Sequence, residues 1–457
     1  MAGVGAARKL RDHGVDTVIL EARNRVGGRI HSTQLSSGCT LDLGASFLHD
    51  LPYLNLEQTI KAAGVQVIKS AQEIIIPRPG QPPLSMRESR RLVNVVWEGY
   101  DGICRRANAK SPQRRDFLVG DAMHAWLDRM VDNRGVDRTL AHCAVDIMAE
   151  FCGCELNDLS PAHAATDIDY LGEDYVSKQG YMPILRQIAG NDILQSVHLE
   201  HVVTRVSYSE DAVCVTTARH GEFVADAVLV TLPLGVLKSG AIQFAPPLPA
   251  WKQGAVDRVG VGLMNKLVIE YDSDCVPFWP PKNDFVTLRP EDVFTKDPGA
   301  AADVLPRDSV YFVNYYALLG CPVLAALLHC GLGEWAETQS DEQMAERITR
   351  HLARYFPAAA DTRPIRCTLT RWRQDPYAKG SYTHLPHGSS AEDLRLLAQP
   401  FGLDANDKGS ANESKARVFW AGEHAESTEF GLAHGALISG QRAAKQLLTR
   451  FGIEETG

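Results

Sequence analysis

Val15-Asp16-Thr17-Val18-Ile19-Leu20-Glu21 is the stretch on which the fold turns. Its apolar, β-branched run from 15 to 20 predicts a buried parallel strand, with Glu21 at the carboxyl end. Upstream, Met-Ala-Gly-Val-Gly-Ala-Ala-Arg-Lys-Leu runs through Arg11, Asp12 and His13 to Gly14, which reads as a helix ended by a glycine at C′. Helix, glycine turn, strand and acid form the second half of a dinucleotide-binding βαβ unit, in which the acid accepts hydrogen bonds from ribose hydroxyls. Gly3 fits the third glycine of the G-x-G-x-x-G fingerprint, and Gly5 falls within the helix. The first strand and the two earlier glycines have no counterpart before Met1. The expectation is a truncated record with a slot beside the 15–20 strand, poor expression or weak cofactor binding, and rescue by about 15–20 upstream residues.

Downstream of Glu21, Ala22-Arg23-Asn24-Arg25-Val26-Gly27-Gly28-Arg29-Ile30 pairs two glycines with three arginines. Such a loop can bring backbone close to an anion. Leu41 to His49 (LDLGASFLH) is a second small-residue turn. Residues 55–180 read mostly helical, broken at 77–83 and 110–115. Strands are predicted within 198–232, and Pro233-Leu234-Gly235 then marks a crossing between domains. Further strands are predicted at 261–271 and 310–316, an amphipathic helix at 343–355, a polar loop at 401–416, a buried strand at 418–423 and a last helix at 434–448. No internal repeat is visible. The fold class predicted is α/β, a Rossmann-like domain interleaved with a mixed-sheet and helical substrate domain. The cofactor part is placed at 1–70, 185–250 and 385–457, and the substrate part at 71–184 and 251–384.

With 45% hydrophobic and 23% charged residues among 457, the chain falls in the soluble globular class and is long enough for two or three domains. No apolar run approaches the ~20 residues of a membrane span. The net charge of −9 argues against nucleic acid as the main partner and permits a cationic one. Ten scattered cysteines read as reduced structural thiols in a reducing, cytoplasmic compartment, with Cys152-Gly153-Cys154 the one tight pair. No metal-ligand spacing is present.

Six segments in order, LEARNRVGGRI, LDLGASFLH, VTLPLGVLK, the 246–272 stretch with MNKLVIEYD, RWRQDPYAKGSY and VFWAGEHAESTEFGLAHGALISGQRAA, resemble the flavin-dependent amine oxidases over nearly the whole chain. The similarity is closest to the branch of polyamine oxidases and lysine-specific histone demethylases. The SWIRM domain and helical tower of those demethylases have no match here, and His49 resembles the substrate-facing histidine of animal polyamine oxidases. A small polyamine is therefore the expected substrate, with demethylation of peptidyl methyl-lysine, or a catalytically weak binding protein, as alternatives.

The resemblance implies roles for particular residues. Gly3, Glu21, Arg23, Gly27, Gly28, Arg29, Ser46, Phe47, Val203, Glu423, Leu432 and Ala433 would bind FAD. Lys266 would hold a water against flavin N5, with a solvated surface lysine as the alternative. Tyr382 would wall the amine channel, and His49 would face the substrate, while Trp372 and Tyr377 pack nearby. Leu432 replaces a second channel aromatic found in many relatives. Ser381 stands where monoamine oxidases carry the cysteine that bonds flavin, so FAD is expected to be noncovalent. The implied reaction is hydride transfer from the amine α-carbon to N5, imine hydrolysis, and reoxidation by O2 to hydrogen peroxide, with the amine neutral. Asp50, Asp167, Asp169, Glu173 and Asp174 are candidates for steering the remaining ammonium groups.

Overall fold

A computed structural model of the chain describes residues 1–49, 51, 56–78, 80–107, 117–134, 141, 145, 148–149, 152–161, 173–288, 310–403 and 415–455. Ala2–Asp12 is helical, and its small residues let it lie close against the last helix, Ala433–Arg450. A Cβ on Gly440 would meet the Ala2 carbonyl oxygen at 2.1 Å, and one on Gly5 would meet Leu437 Cδ1 at 2.5 Å. The first helix ends as its sequence predicts. Gly14 has φ 75° and its N–H reaches Arg11 O at 2.9 Å, while Val15 N–H reaches Leu10 O at 3.0 Å.

The predicted 15–20 strand is realised over Ile19–Leu20 alone. It pairs in parallel with Val197–His198, and this is the one edge on which it has a partner among the described residues. Val18, just before it, is 56% exposed. A short pair burying one edge cannot hold six residues in a ladder, which is why the predicted length is not reached. A second parallel pair, Val228–Val230 with Val418–Trp420, lies apart from the first. Val203–Tyr208 belongs to a four-stranded sheet with Val213–Thr217, Glu222–Ala225 and Gln243–Ala245.

The largest sheet has six strands in the order Arg366–Leu369, Met264–Glu270, Val323–His329, Val310–Asn314, Phe285–Leu288, Ile74–Ile75. Alternate residues go to opposite faces, as the two-residue strand period requires. Leu267, Ile269, Leu324, Ala326 and Leu328 pack on one side under the helix Asp341–Tyr355. Its Met344, Ile348 and Leu352 repeat every four residues, and Ser340 and Gln343 form a capping box at its start. Val268, Tyr311, Val313, Val323, Ala325 and Leu327 pack on the other side with Leu35, Leu41 and Val176. A three-stranded sheet, Phe47–His49, Asp174–Ser177 and Val67–Lys69, adjoins this face. The helices Met86–Ala107 and Val119–Arg134 pack closely where Gly99 meets the Trp126 ring.

A second sequence expectation is also corrected. Cys39 and Cys321 form a disulfide across 282 residues of sequence, so the cysteines are not all reduced thiols. The pair joins the turn after Ser32–Gln34 to the start of the strand Val323–His329, a juxtaposition that cysteine spacing does not encode.

Candidate functional site

Arg29 is the residue on which three distant segments meet. Its Nη1 donates to Ser381 O at 2.6 Å and to Glu423 Oε1 at 2.8 Å. The other Glu423 oxygen accepts from Thr383 N–H at 3.3 Å and Gly431 N–H at 2.9 Å. Burial pushes the Glu423 carboxyl up, but the Arg29 charge and these donors bring it below the usual carboxylate range. Glu423 thus spends both oxygens within the protein, clamping the turn before the last helix to the Arg29 loop.

The loop itself is shaped by glycine. Gly27 and Gly28 have φ 107° and 61°, values that side-chain-bearing residues rarely adopt. Arg25 is spent within the loop, donating to Gly28 O at 2.9 Å and Ile30 O at 3.2 Å. A Cβ on Gly44 would lie 1.7 Å from Arg29 O, so the 43–46 turn can approach the arginine loop only as glycine. Arg23 forms a bidentate pair with Asp375, both bonds 2.8 Å, and lies over the Tyr377 ring. Its backbone N–H donates to Glu21 Oε1 at 2.8 Å. Burial raises the Glu21 carboxyl against the opposing effect of that bond and of the nearby arginines. His201 N–H donates to Glu21 O at 2.9 Å, two residues before Val203 opens its strand.

Lys266 is buried. Its Nζ donates to Asp42 O at 2.9 Å, Gly44 O at 2.7 Å and Ser46 Oγ at 2.8 Å, using all three ammonium protons. Burial lowers it to about 8, with Asp42 opposing the shift. The Asp42 carboxyl is raised to about 6 by burial, opposed by Ser32, Tyr181 and Lys266. Ser381 Oγ accepts from Met264 N–H at 2.8 Å and donates to Met264 O at 2.9 Å, so its hydroxyl is tied to the same strand as Lys266. The Tyr382 ring lies against Gly153, and its hydroxyl is 4.0 Å from Met264 Sδ. Met264 and Phe47 pack on one apolar cluster. Trp372 is buried, with its ring edge 3.5 Å from where a Gly44 Cβ would be.

The strand Phe47–His49 carries His49 directly opposite Asp174, and Nδ1 lies 2.6 Å from Asp174 Oδ1. Glu173 instead pairs with Lys69 and accepts from Tyr175 Oη at 2.8 Å. Asp50, Asp167 and Asp169 lie outside the described residues.

Two helix N-termini complete the arrangement. Leu432 stands at the N-cap of the last helix and makes no side-chain cap bond, and Ala433 opens the helix. At Gly3, in the first turn of the N-terminal helix, a Cβ would meet nothing nearer than Thr231 Oγ1 at 3.5 Å. Helix N-termini without side-chain caps, a glycine-lined approach and a half-buried acid at a strand end offer the donors and acceptor that a flavin dinucleotide requires. The residues present therefore fit that group.

The sequence profile described as flavin containing amine oxidoreductase matches residues 1–448. The chain belongs to this family. It is a flavoprotein of the amine oxidase class, with FAD as its cofactor, and its reaction class is amine oxidation. It is 28% identical to polyamine oxidase 4 of Oryza sativa subsp. japonica, over all of this chain and 89% of that protein. It is 29% identical to probable polyamine oxidase 4 of Arabidopsis thaliana, over all of this chain and 87% of that one. Lysine-specific histone demethylase 1 homolog 1 of Oryza sativa subsp. japonica is 30% identical over 98% of this chain and 51% of its own length. Among the described residues no helix is long and apolar enough to cross a membrane.

Sequence reasoning did not single out several members of the site. Asp42 was legible, since an acid inside the apolar LDLGAS run is an anomaly for a half-buried strand. Asp375 carries no local signal, because its partner Arg23 lies 352 residues away and is set by the fold.

Proposed function

We propose that the protein oxidises polyamines with noncovalently bound FAD. The observation that carries the reading is the His49–Asp174 pair, which puts a carboxylate of a chain with net charge −9 beside the apolar cluster holding Phe47 and Met264. A polyamine needs both features: apolar surface for its methylenes, and negative charge for its remaining ammonium groups. FAD, when bound, would supply the oxidant for hydride removal from the amine α-carbon, with O2 as the final acceptor giving hydrogen peroxide. Gly27, Gly28 and Arg29 would hold the pyrophosphate side, Glu21 and Val203 the adenosine, and Ser46, Phe47 and the amides of Leu432 and Ala433 the ring system. Lys266 fixes the 42–46 turn on which Ser46 and Phe47 stand. Tyr382, packed on Gly153 and Met264, would wall the amine channel. Ser381 has no thiol, and its hydroxyl is engaged with Met264, which supports a noncovalent cofactor.

Anaerobic mixing with spermine or spermidine should bleach the flavin absorbance, and denaturation should release the flavin to the supernatant. Bleaching by a methyl-lysine peptide but not by polyamines would replace the substrate. The demethylase-like reading rests on the 30% identity to the rice demethylase homologue. Flavin that stays with the precipitated protein would sink the noncovalent assignment.

A further inference from the structure

The strand Met264–Glu270 sends the neighbouring side chains of Asn265 and Lys266 to opposite faces. Lys266 holds the 42–46 turn. Asn265 is fully buried and holds a different segment. Its Oδ1 accepts from Trp372 N–H at 2.9 Å and from Thr370 Oγ1 at 3.2 Å, and its Nδ2 donates to Glu337 Oε1 at 2.8 Å. Glu337 is the last residue of the helix Cys330–Glu337, and it too is buried. Its Oε1 also accepts from Arg373 N–H at 2.9 Å, and its Oε2 accepts from Gln374 N–H at 3.0 Å. Gln374 Nε2 donates back to Glu337 O at 3.0 Å. Two buried side chains thus fix the backbone amides of 372, 373 and 374.

A carboxylate in this place does not serve its own helix. The C-terminal end of a helix carries partial negative charge, and burying an anion costs desolvation. Among the described residues no cation lies within ion-pair distance of Glu337; the Arg373 guanidinium lies 3.8 Å from Glu334 instead. The charge is held by N–H donors, and all of them belong to Asn265 or to the 372–374 backbone. What that backbone carries accounts for the arrangement. The next residue, Asp375, takes Arg23 through two bonds of 2.8 Å, and its Oδ1 also accepts from Tyr377 N–H at 2.8 Å. Arg23 N–H in turn donates to Glu21 Oε1 at 2.8 Å. Further on, Gly380 N–H closes the segment onto Trp372 O at 2.8 Å, and Ser381 O accepts from Arg29.

We propose that Glu337 is a positioning residue for the cofactor site: its carboxylate sets the 372–375 backbone so that Asp375 locks Arg23 and, through it, the Glu21 carboxylate. This rests on the assignment of Glu21 and the arginine loop to FAD. Glu337 acts through Asp375 and not by contact with the cofactor. Glu337→Gln keeps the size of the side chain but turns one acceptor oxygen into an NH2 group that faces a backbone N–H, donor against donor. The segment then loses one of its fixed amides, and Asp375 loses its fixed place opposite Arg23.

The test is a double-mutant cycle on the rate of FAD release. FAD-loaded wild type, Glu337→Gln, Asp375→Asn and the double variant are diluted, and flavin fluorescence follows the release. Each single variant should release FAD at least about fivefold faster than wild type, the worth of about one hydrogen bond. The double variant should release it no faster than the more affected single one, because both changes break the same link. A merely structural role would instead multiply the two effects. Glu334→Gln, on the same helix but 63% exposed, should release FAD as wild type does. Should Glu337→Gln fold poorly, Gln374→Ala removes only the side-chain bond from an exposed residue to Glu337 O. It should speed release about twofold, and that effect should vanish in the Asp375→Asn background. Multiplying effects, or release from Glu337→Gln as slow as from wild type, would overturn the proposal while leaving the cofactor assignment intact. Release from Asp375→Asn as slow as from wild type would overturn both the proposal and the placing of Arg23 at the cofactor.

Discussion

Lys266 shows how much a single side chain can organise. Among the described residues no carboxylate lies within hydrogen-bonding distance of it; it is held by two carbonyls and a hydroxyl of the 42–46 turn. Lys266→Met would strand three acceptors, and a buried group left unpaired costs about 1–3 kcal/mol. We expect a lower melting temperature and at least about tenfold slower anaerobic reduction, since the turn carries Ser46 and Phe47. Unchanged single-turnover reduction would reduce Lys266 to a packing residue. Asp42 beside it yields a pH signature. Its carboxyl is raised in the folded state to about 6 from 3.8, so the folded state binds more protons than the unfolded one between those values. The stability it contributes is present below that window and is lost as pH rises through about 6. The melting temperature of Asp42→Asn relative to wild type should therefore rise from pH 4 to pH 6, and a difference that is flat with pH would contradict the assignment.

At the scale of elements, the first and last helices depend on glycine for their separation. Gly440 lies with no room for a Cβ against the backbone of Ala2, and backbone cannot swing aside as a flexible side chain can. Gly440→Ala should push the helices apart and destabilise the protein by about 1–3 kcal/mol. Both N-termini belong to the candidate cofactor site, so FAD content after dialysis should fall with stability. A variant that melts and retains FAD as wild type does would show that the contact relaxes at no cost. The amphipathic helix at 343–355, the Gly14 stop and the start of the strand predicted at 418–423, which is realised over Val418–Trp420, were legible because periodicity and turn chemistry are local properties. The 15–20 strand was overread, because ladder length depends on neighbours that the stretch does not contain.

Across the whole molecule, the Cys39–Cys321 disulfide links a turn near the candidate cofactor site to the six-stranded sheet. Closing so long a loop restricts the unfolded chain, and losing such a bond typically costs about 2–5 kcal/mol. Thiol titration of denatured protein should rise by two groups after reduction, and Cys39→Ser should melt lower than wild type under non-reducing conditions. Equal thiol counts before and after reduction would mean that the pair is not formed in solution.

The local patterns of the sequence by themselves determined the α/β class, the helix stops, the glycine turns and the family resemblance, since each depends on residues within about 20 positions of one another. The tertiary structure alone decided which charges meet. Arg23 finds Asp375 and Arg29 finds Ser381 O, each 352 residues away, while His49 finds Asp174 across 125. Periodicity tells an apolar face from a polar one, but it does not say which carboxylate stands opposite which cation. That choice follows from strand register and helix packing, where a side chain is buried only beside a partner that satisfies it.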